Sequence, residues 1–260
     1  MLTQKLPAYQ KIKGVEVNPS LNVLGYNVFN STLDKAIFGE KTLINTFSPN
    51  SYGVAKKDVA FREALKNSDL LVLDGMGVAI GSMLIHGKNI KKVAGQDCFD
   101  YLIAEANKNG WKVFFMGSTV KTLEKITTRL KKEYPNIQSA YYSPPYKPEF
   151  TQEDNMKIVE AINAFQPDIL FVGLTAPKQE KWGYQHKELL NVRVISTIGN
   201  VFDWYAGNSS RPAPIWIKLR MEWLVRIFLR PEIFKRNTGN QMKFFKDLLL
   251  HVTYIKRIKD

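Results

Sequence analysis

A single cysteine, Cys98, in 260 residues excludes a disulfide framework and a cysteine-rich zinc site. The histidines, His86, His186 and His251, are too scattered along the chain to propose a metal site. No stretch reaches about 18 uninterrupted apolar residues, so no bilayer-spanning helix is expected. Residues 1–14 are polar, with Lys5, Lys11 and Lys13 and no apolar h-region, so no secretory leader is expected. Acids are in short supply, 24 against 37 basic residues, for a net charge of +13. No paired acids of Asp-x-Asp type stand at a strand end, so cationic side chains are the expected stabilisers of any departing anion.

The remaining composition is that of a globular protein, 45% hydrophobic and 23% charged, with enough chain for one α/β domain and an appendage. Extended apolar segments at 22–28, 43–47, 70–74, 112–117, 137–142, 169–173 and 192–198 alternate with helical patterns. The helices are expected at 51–67, 78–85, 97–109, 119–134, 151–165 and 177–190. This alternation predicts a mostly parallel Rossmann-like sheet covered on both faces, spanning residues 1–206. Beyond Gly207 the pattern turns wholly helical, and residues 207–260 read as a basic amphipathic appendage. Its first helix sets Ile215, Leu219, Trp223 and Ile227 in one row and Lys218, Glu222, Arg226 and Arg230 in the next. Pro231 is expected to break it, and Phe245, Leu248, Leu249, Val252 and Ile255 line a second face. Residues 211–260 hold twelve basic residues against four acids, a net +8, which calls for an anionic partner. Packing on the core and lying on a membrane surface are both open to such helices.

Four constellations carry the candidate chemistry. In LLVLDGMGVAIG, residues 70–81, an apolar strand ends in Asp74, and ligands of open α/β sheets bind at the carboxyl ends of strands. Thr46 and Ser48 end the preceding strand, while Gly75 and Gly77 allow close backbone approach at a helix N-terminus. Asp74 reads equally as a binding acid or as a helix cap. The second constellation is GLTAPKQEKW, residues 173–182, which crowds Lys178, Gln179 and Glu180 into one first turn. The third, IGNVFDWYAG, residues 198–207, places Asp203 after a strand, as a binding acid or a satisfied loop residue. The fourth is Arg211, Arg226, Arg230 and Arg236 near Trp216 and Trp223, where guanidinium forks suit diphosphate and solubility is the plainer role.

Together these stretches resemble the WecG/TagA/CpsF glycosyltransferases. The likeness runs from about Asn22 to about Arg236 through Thr46, LDGMG at 73–77, VAGQD at 93–97, FFMGS at 114–118, APKQEKW at 176–182, GNVFDWYAG at 199–207 and EWLVR at 222–226. The resemblance implies an inverting, metal-independent and cofactor-free transfer of N-acetylmannosamine, or a related hexose or uronic acid. The donor would be a UDP-sugar, and the acceptor a polyprenyl-diphosphate-linked sugar at the inner face of the cytoplasmic membrane. It implies Asp74 as general base with Thr46 beside it. The implied substrate contacts are Ser48, Gly75, Gly77, Lys92, Gln96, Asp97, Gly117, Lys178, Gln179, Glu180 and Asp203. Arg211, Arg226, Arg230 and Arg236 would meet the acceptor diphosphate. Three departures stand out: Ser48 where the family has asparagine, Lys92 where many members have arginine, and Arg-Pro-Ala-Pro at 211–214 where Arg-Ala-Pro is usual. Self-association fits the resemblance and the exposed apolar seams. The alternatives are a Rossmann-type oxidoreductase, suggested by the glycines after Asp74, and a basic nucleic-acid-binding protein.

Overall fold

The computed structural model describes residues 18–209 and 231–259. The described chain opens with a hairpin, β1 (Ser20–Val23) and β2 (Tyr26–Phe29). Six parallel strands follow: β3 (Thr42–Phe47), β4 (Leu70–Leu73), β5 (Lys112–Gly117), β6 (Gln138–Tyr142), β7 (Ile169–Gly173) and β8 (Val194–Thr197), in the order β4-β3-β8-β7-β5-β6. The helices are α1 (Pro49–Ala55), α2 (Val59–Lys66), α3 (Met76–His86), α4 (Gly95–Asn109), α5 (Val120–Glu133), α6 (Gln152–Phe165), α7 (Lys178–His186), α8 (Val201–Tyr205) and α9 (Pro231–Lys259). The expected α/β class and parallel sheet are therefore observed.

The central strands are largely apolar because both faces are covered. On one face Ile44, Val72, Val113, Phe115, Phe171 and Val194 pack against Phe99, Leu102 and Ile103 of α4, Leu123 and Ile126 of α5 and Phe202 of α8. On the other, Leu43, Phe114, Leu170 and Ile195 meet Ile158 and Ile162 of α6 and Trp182 of α7. A third cluster, beneath the hairpin, joins Val23, Tyr26, Val28, Phe47, Tyr52 and Val78 to Phe244 and Leu248 of α9. The chain leaves β5 for α5 on one face and β7 for α7 on the other. Adjacent strands whose helices depart to opposite faces open a crevice at their carboxyl ends.

The local differences from expectation have identifiable causes. The strand expected at 22–28 is a hairpin, because Leu24 and Gly25 both take positive φ, 51° and 89°, in a tight turn. Asn22 secures that turn by accepting the Gly25 N–H at 3.0 Å. The helix expected at 51–67 is two, since Asp58 caps α2 by accepting the Phe61 N–H at 2.9 Å. The segment around Phe202, to which no helix is assigned from the sequence, contains the short helix α8. Pro231 stands at the start of α9, where a missing N–H is harmless. The row Ile215, Leu219, Trp223 and Ile227 and the adjoining Lys218, Glu222, Arg226 and Arg230 lie outside the described residues, as do Trp216 and the Arg-Pro-Ala-Pro segment.

Helix α9 is tied closely to α1. A side chain at Gly53 would collide with Asn240, so the two backbones nearly touch. The Tyr52 hydroxyl donates to Asp247 at 2.7 Å, Lys56 pairs with the same carboxylate, and Asn240 donates to Asn50 at 3.1 Å. Phe244 is fully buried, and truncating such a side chain costs about 3–5 kcal/mol.

Candidate active site

Residues two apart on a strand share a face. Ile44 of β3 and Val72 of β4 both belong to the cluster under α4, so Thr46 continues the first row and Asp74 the second. Thr46 lies opposite Val72 in the register, and the Asp74 N–H donates to the Phe47 carbonyl at 2.8 Å. The threonine and the carboxylate thus occupy one face of adjacent strands, one step apart, and both are half-buried. Gly75 follows with φ 88° and open space where a side chain would point. Gly75 is the N-cap of α3, so Asp74 stands one residue before the helix.

The start of α4 covers the same face. A side chain at Gly95 would stand 3.6 Å from Ile198, just past the end of β8. Gln96, in this first turn, donates to Asp100 at 2.7 Å. Asp97 accepts the Ala94 N–H at 2.7 Å, which gives it a helix-capping task. Lys92 is half-buried in the preceding loop. Cys98, on the buried side of this helix, has its thiol pushed up to about 12 by burial, far from nucleophilic use.

Several predicted contacts serve the protein itself. Ser48 caps α1 by accepting the Ser51 N–H at 3.1 Å. The space above Gly77 is filled by Pro49 and Phe245, and that above Gly117 by the Gly173 carbonyl. Gly173 is in turn held against the Phe202 ring. Asp203 sits in α8, half-buried, within 3.4 Å of the Asn208 amide that donates to it. Lys178 places its ammonium 3.3 Å from the centre of the Phe150 ring and donates to the Lys147 carbonyl at 2.7 Å. Burial there holds its pKa below the usual lysine value. The proline-rich loop 143–150 is thereby fastened to the start of α7.

Gln179 and Glu180 form the most unusual pair. Both are buried, 5% and 2% exposed, and the Gln179 amide donates to Glu180 at 2.9 Å. Among the described residues, neither the Gln179 Oε1 nor the second Glu180 oxygen, Oε2, has a hydrogen-bond partner. Burial pushes the Glu180 carboxyl up to about 7, against the opposing pull of Gln179 and its own backbone N–H. The Gln179 Oε1 would lie 3.2 Å from a side chain placed at Gly199, so this acceptor stands against the loop after β8. Buried polar atoms without a protein partner are uncommon, and these two stand at the start of the helix that follows β7.

Beneath this edge runs a polar link absent from the sequence reading. Thr197 donates to Asn45 at 2.7 Å, and Asn45 donates to Ser68 at 2.9 Å and to the Ala64 carbonyl at 3.3 Å. Asn45 within the apolar run LINTF was its one sequence signal. Of the four arginines, Arg211, Arg226 and Arg230 lie outside the described residues, while Arg236 is exposed on α9.

An open parallel sheet with a carboxylate, a threonine and orphaned acceptors on its carboxyl edge is the frame of a ligand-binding α/β enzyme. The chain belongs to the glycosyl transferase WecG/TagA/CpsF family, whose model matches residues 15–257. It is a glycosyltransferase, which sets aside the oxidoreductase and nucleic-acid-binding alternatives. It is 32% identical over 207 residues to the N-acetylglucosaminyldiphosphoundecaprenol N-acetyl-beta-D-mannosaminyltransferase of Bacillus subtilis strain 168, covering 78% of each chain. The protein of that name from Staphylococcus aureus strain NCTC 8325 is 27% identical over 219 residues, covering 80% of this chain and 84% of the relative.

Proposed function

We propose that this glycosyltransferase moves N-acetylmannosamine, or a closely related hexose or uronic acid, from a UDP-sugar to a polyprenyl-diphosphate-linked sugar. The observation that carries this reading is the placement of Thr46 near the end of β3 and of Asp74 just past the end of β4, on adjacent strands. The names of the relatives, mannosaminyltransferases acting on a diphosphoundecaprenol-linked sugar, support the substrates.

The chemistry is a single inverting displacement. The acceptor hydroxyl oxygen attacks the anomeric carbon while Asp74 takes its proton, and the bond to the UDP oxygen breaks with its electron pair on UDP. Thr46 orients the reacting groups beside the base. Lys92 and the start of α4 favour the departing diphosphate, and Lys178, Gln179 and Glu180 border the donor from α7. Arg211, Arg226, Arg230 and Arg236 hold the acceptor diphosphate, so residues 1–206 carry the transfer chemistry and 207–260 the acceptor end. The enzyme works at the inner face of the cytoplasmic membrane, held there peripherally. Among the described residues no helix is long and apolar enough to cross a membrane.

The test is UDP release from a panel of UDP-sugars, with and without a short-chain lipid diphosphate-sugar. Acceptor-dependent release with UDP-N-acetylmannosamine or a related donor is expected. Absence of acceptor-dependent release with every donor would contradict the proposal.

A further inference from the structure

Glu180 is the most deeply buried acid among the described residues, and it is held differently from the others. Asp58 meets the Phe61 N–H and Lys181, Asp69 the Leu43 N–H and Lys187, and Asp247 the Tyr52 hydroxyl and Lys56. Among the described residues Glu180 has no such cation: its Oε1 accepts the Gln179 amide at 2.9 Å, and its Oε2 accepts nothing. A buried carboxylate with one oxygen unmet and no counter-ion is costly, so the side chain rests there with a proton on it. Burial, which pushes the carboxyl up to about 7, acts in the same direction.

The charged groups of the neighbouring elements are engaged elsewhere. On α7, Lys178 is held by the Phe150 ring and the Lys147 carbonyl, and Lys181 by Asp58 at the start of α2. His186 lies stacked on Trp182, its pKa lowered by burial. Just past α7, Lys187 meets Asp69 and Glu188 meets Lys41. On α2, Arg62 pairs with Glu63, and Lys66 is exposed. Strands β3, β7 and β8 carry no ionisable side chain. At Glu180 itself, burial is opposed by Gln179 and the residue's own N–H, not by any of these charges.

The position of the pair gives it a task. A side chain at Gly183 would meet Leu43 of β3 and Ile195 and Thr197 of β8, so this face of α7 rides on those strands. Glu180 precedes Gly183 by three residues and shares that face, one turn nearer the carboxyl edge. With its Nε2 held by Glu180, the Gln179 amide is fixed in one orientation, and its Oε1 lies 3.2 Å from where a Gly199 side chain would start. The Leu174 carbonyl lies 3.3 Å from the same point. Ile198, one residue earlier, packs against Gly95 at the start of α4. The loop after β8 is thus wedged between the first turns of α4 and α7, the two helices that border the donor.

We propose that Glu180 is a positioning residue that works uncharged: as a carboxylic acid it holds the Gln179 amide, and Gln179 holds the loop 198–200 as one wall of the donor crevice. Loss of the proton puts an unpaired charge under the start of α7, and the wall loosens. The hold stands on this geometry alone, while its effect on donor binding rests on the transferase reading above.

The test uses the full-length chain and two variants, each checked for folding by thermal melting. Glu180→Gln keeps an oxygen for the Gln179 amide and carries no charge at any pH, while Glu180→Ala removes the hold. KM for UDP-N-acetylmannosamine and kcat with a short-chain lipid diphosphate-sugar are measured at pH 6 and pH 8, together with hydrogen exchange of the backbone amides of residues 178–182. In the native chain KM should rise about tenfold between the two pH values, as the carboxyl ionises through about 7, with kcat changing less. Glu180→Gln should show one KM at both, and Glu180→Ala a raised KM at both. At pH 8 the start of α7 should exchange faster in the native chain than in Glu180→Gln, and at pH 6 the two should match. The proposal is overturned if Glu180→Gln keeps the native pH dependence of KM and exchange, or if folded Glu180→Ala leaves both at their native values at pH 6. The expected exchange pattern without turnover of any donor would count against the transferase reading and leave the hold of Glu180 intact.

Discussion

Two ends of the same sheet carry glycines after an apolar strand, and they are put to opposite uses. At the end of β4, Gly75 adopts φ 88° with nothing within 4 Å of the position a side chain would take. At the ends of β5 and β7, the space above Gly117 is filled by Gly173 and that above Gly173 by Phe202. The first glycine leaves room beside a carboxylate, while the others let strand ends and α8 close on one another. A glycine after a strand therefore signals close approach, and only its surroundings tell whether the approaching group is protein or ligand.

Substitution should separate the two ends. Gly173→Ala forces the Phe202 ring out of place and should lower stability by about 3 kcal/mol, read as a fall in denaturation midpoint. Gly75→Ala meets no neighbour and pays only for its backbone conformation, about 1–2 kcal/mol, so the folded fraction stays high while KM for the donor rises. Equal losses of stability in the two variants would erase the distinction between a packed and an open strand end.

The pair at α7 sharpens the comparison through pH. The Glu180 carboxyl rises from its usual 4.5 to about 7 in the folded chain, so folding favours its protonated form. Below about pH 4.5 this group has no effect on stability, and the penalty grows as pH rises to about 7 and is complete above it. Glu180→Gln should remove that penalty. It should raise stability at pH 8 by up to about 2–3 kcal/mol and leave pH 4 nearly unchanged, read from melts across pH. Equal effects of the substitution at both pH values would contradict a buried neutral acid.

Strands β5 and β7 follow the sequence reading residue for residue, because an uninterrupted apolar run ending in glycine has few other uses in an α/β protein. The hairpin was hidden because Leu24 takes a positive φ that its side chain does not advertise. The division of α1 from α2 was hidden because a capping aspartate, Asp58, sits in an otherwise helical pattern. In the site, Thr46 and Asp74 were legible as polar residues at the ends of adjacent strands. The tasks of Ser48, Gly77, Asp97 and Gly117 were not, because a cap or a packed glycine leaves the same trace in a sequence as a ligand contact.

The central claim is that Asp74 is the base of the transfer. Donor affinity by calorimetry and acceptor-dependent UDP release should be measured together for the native chain and Asp74→Asn. The account predicts a fall in turnover of roughly 10²–10⁴-fold with donor affinity within a few-fold of native. Native-level turnover in the folded variant would contradict it.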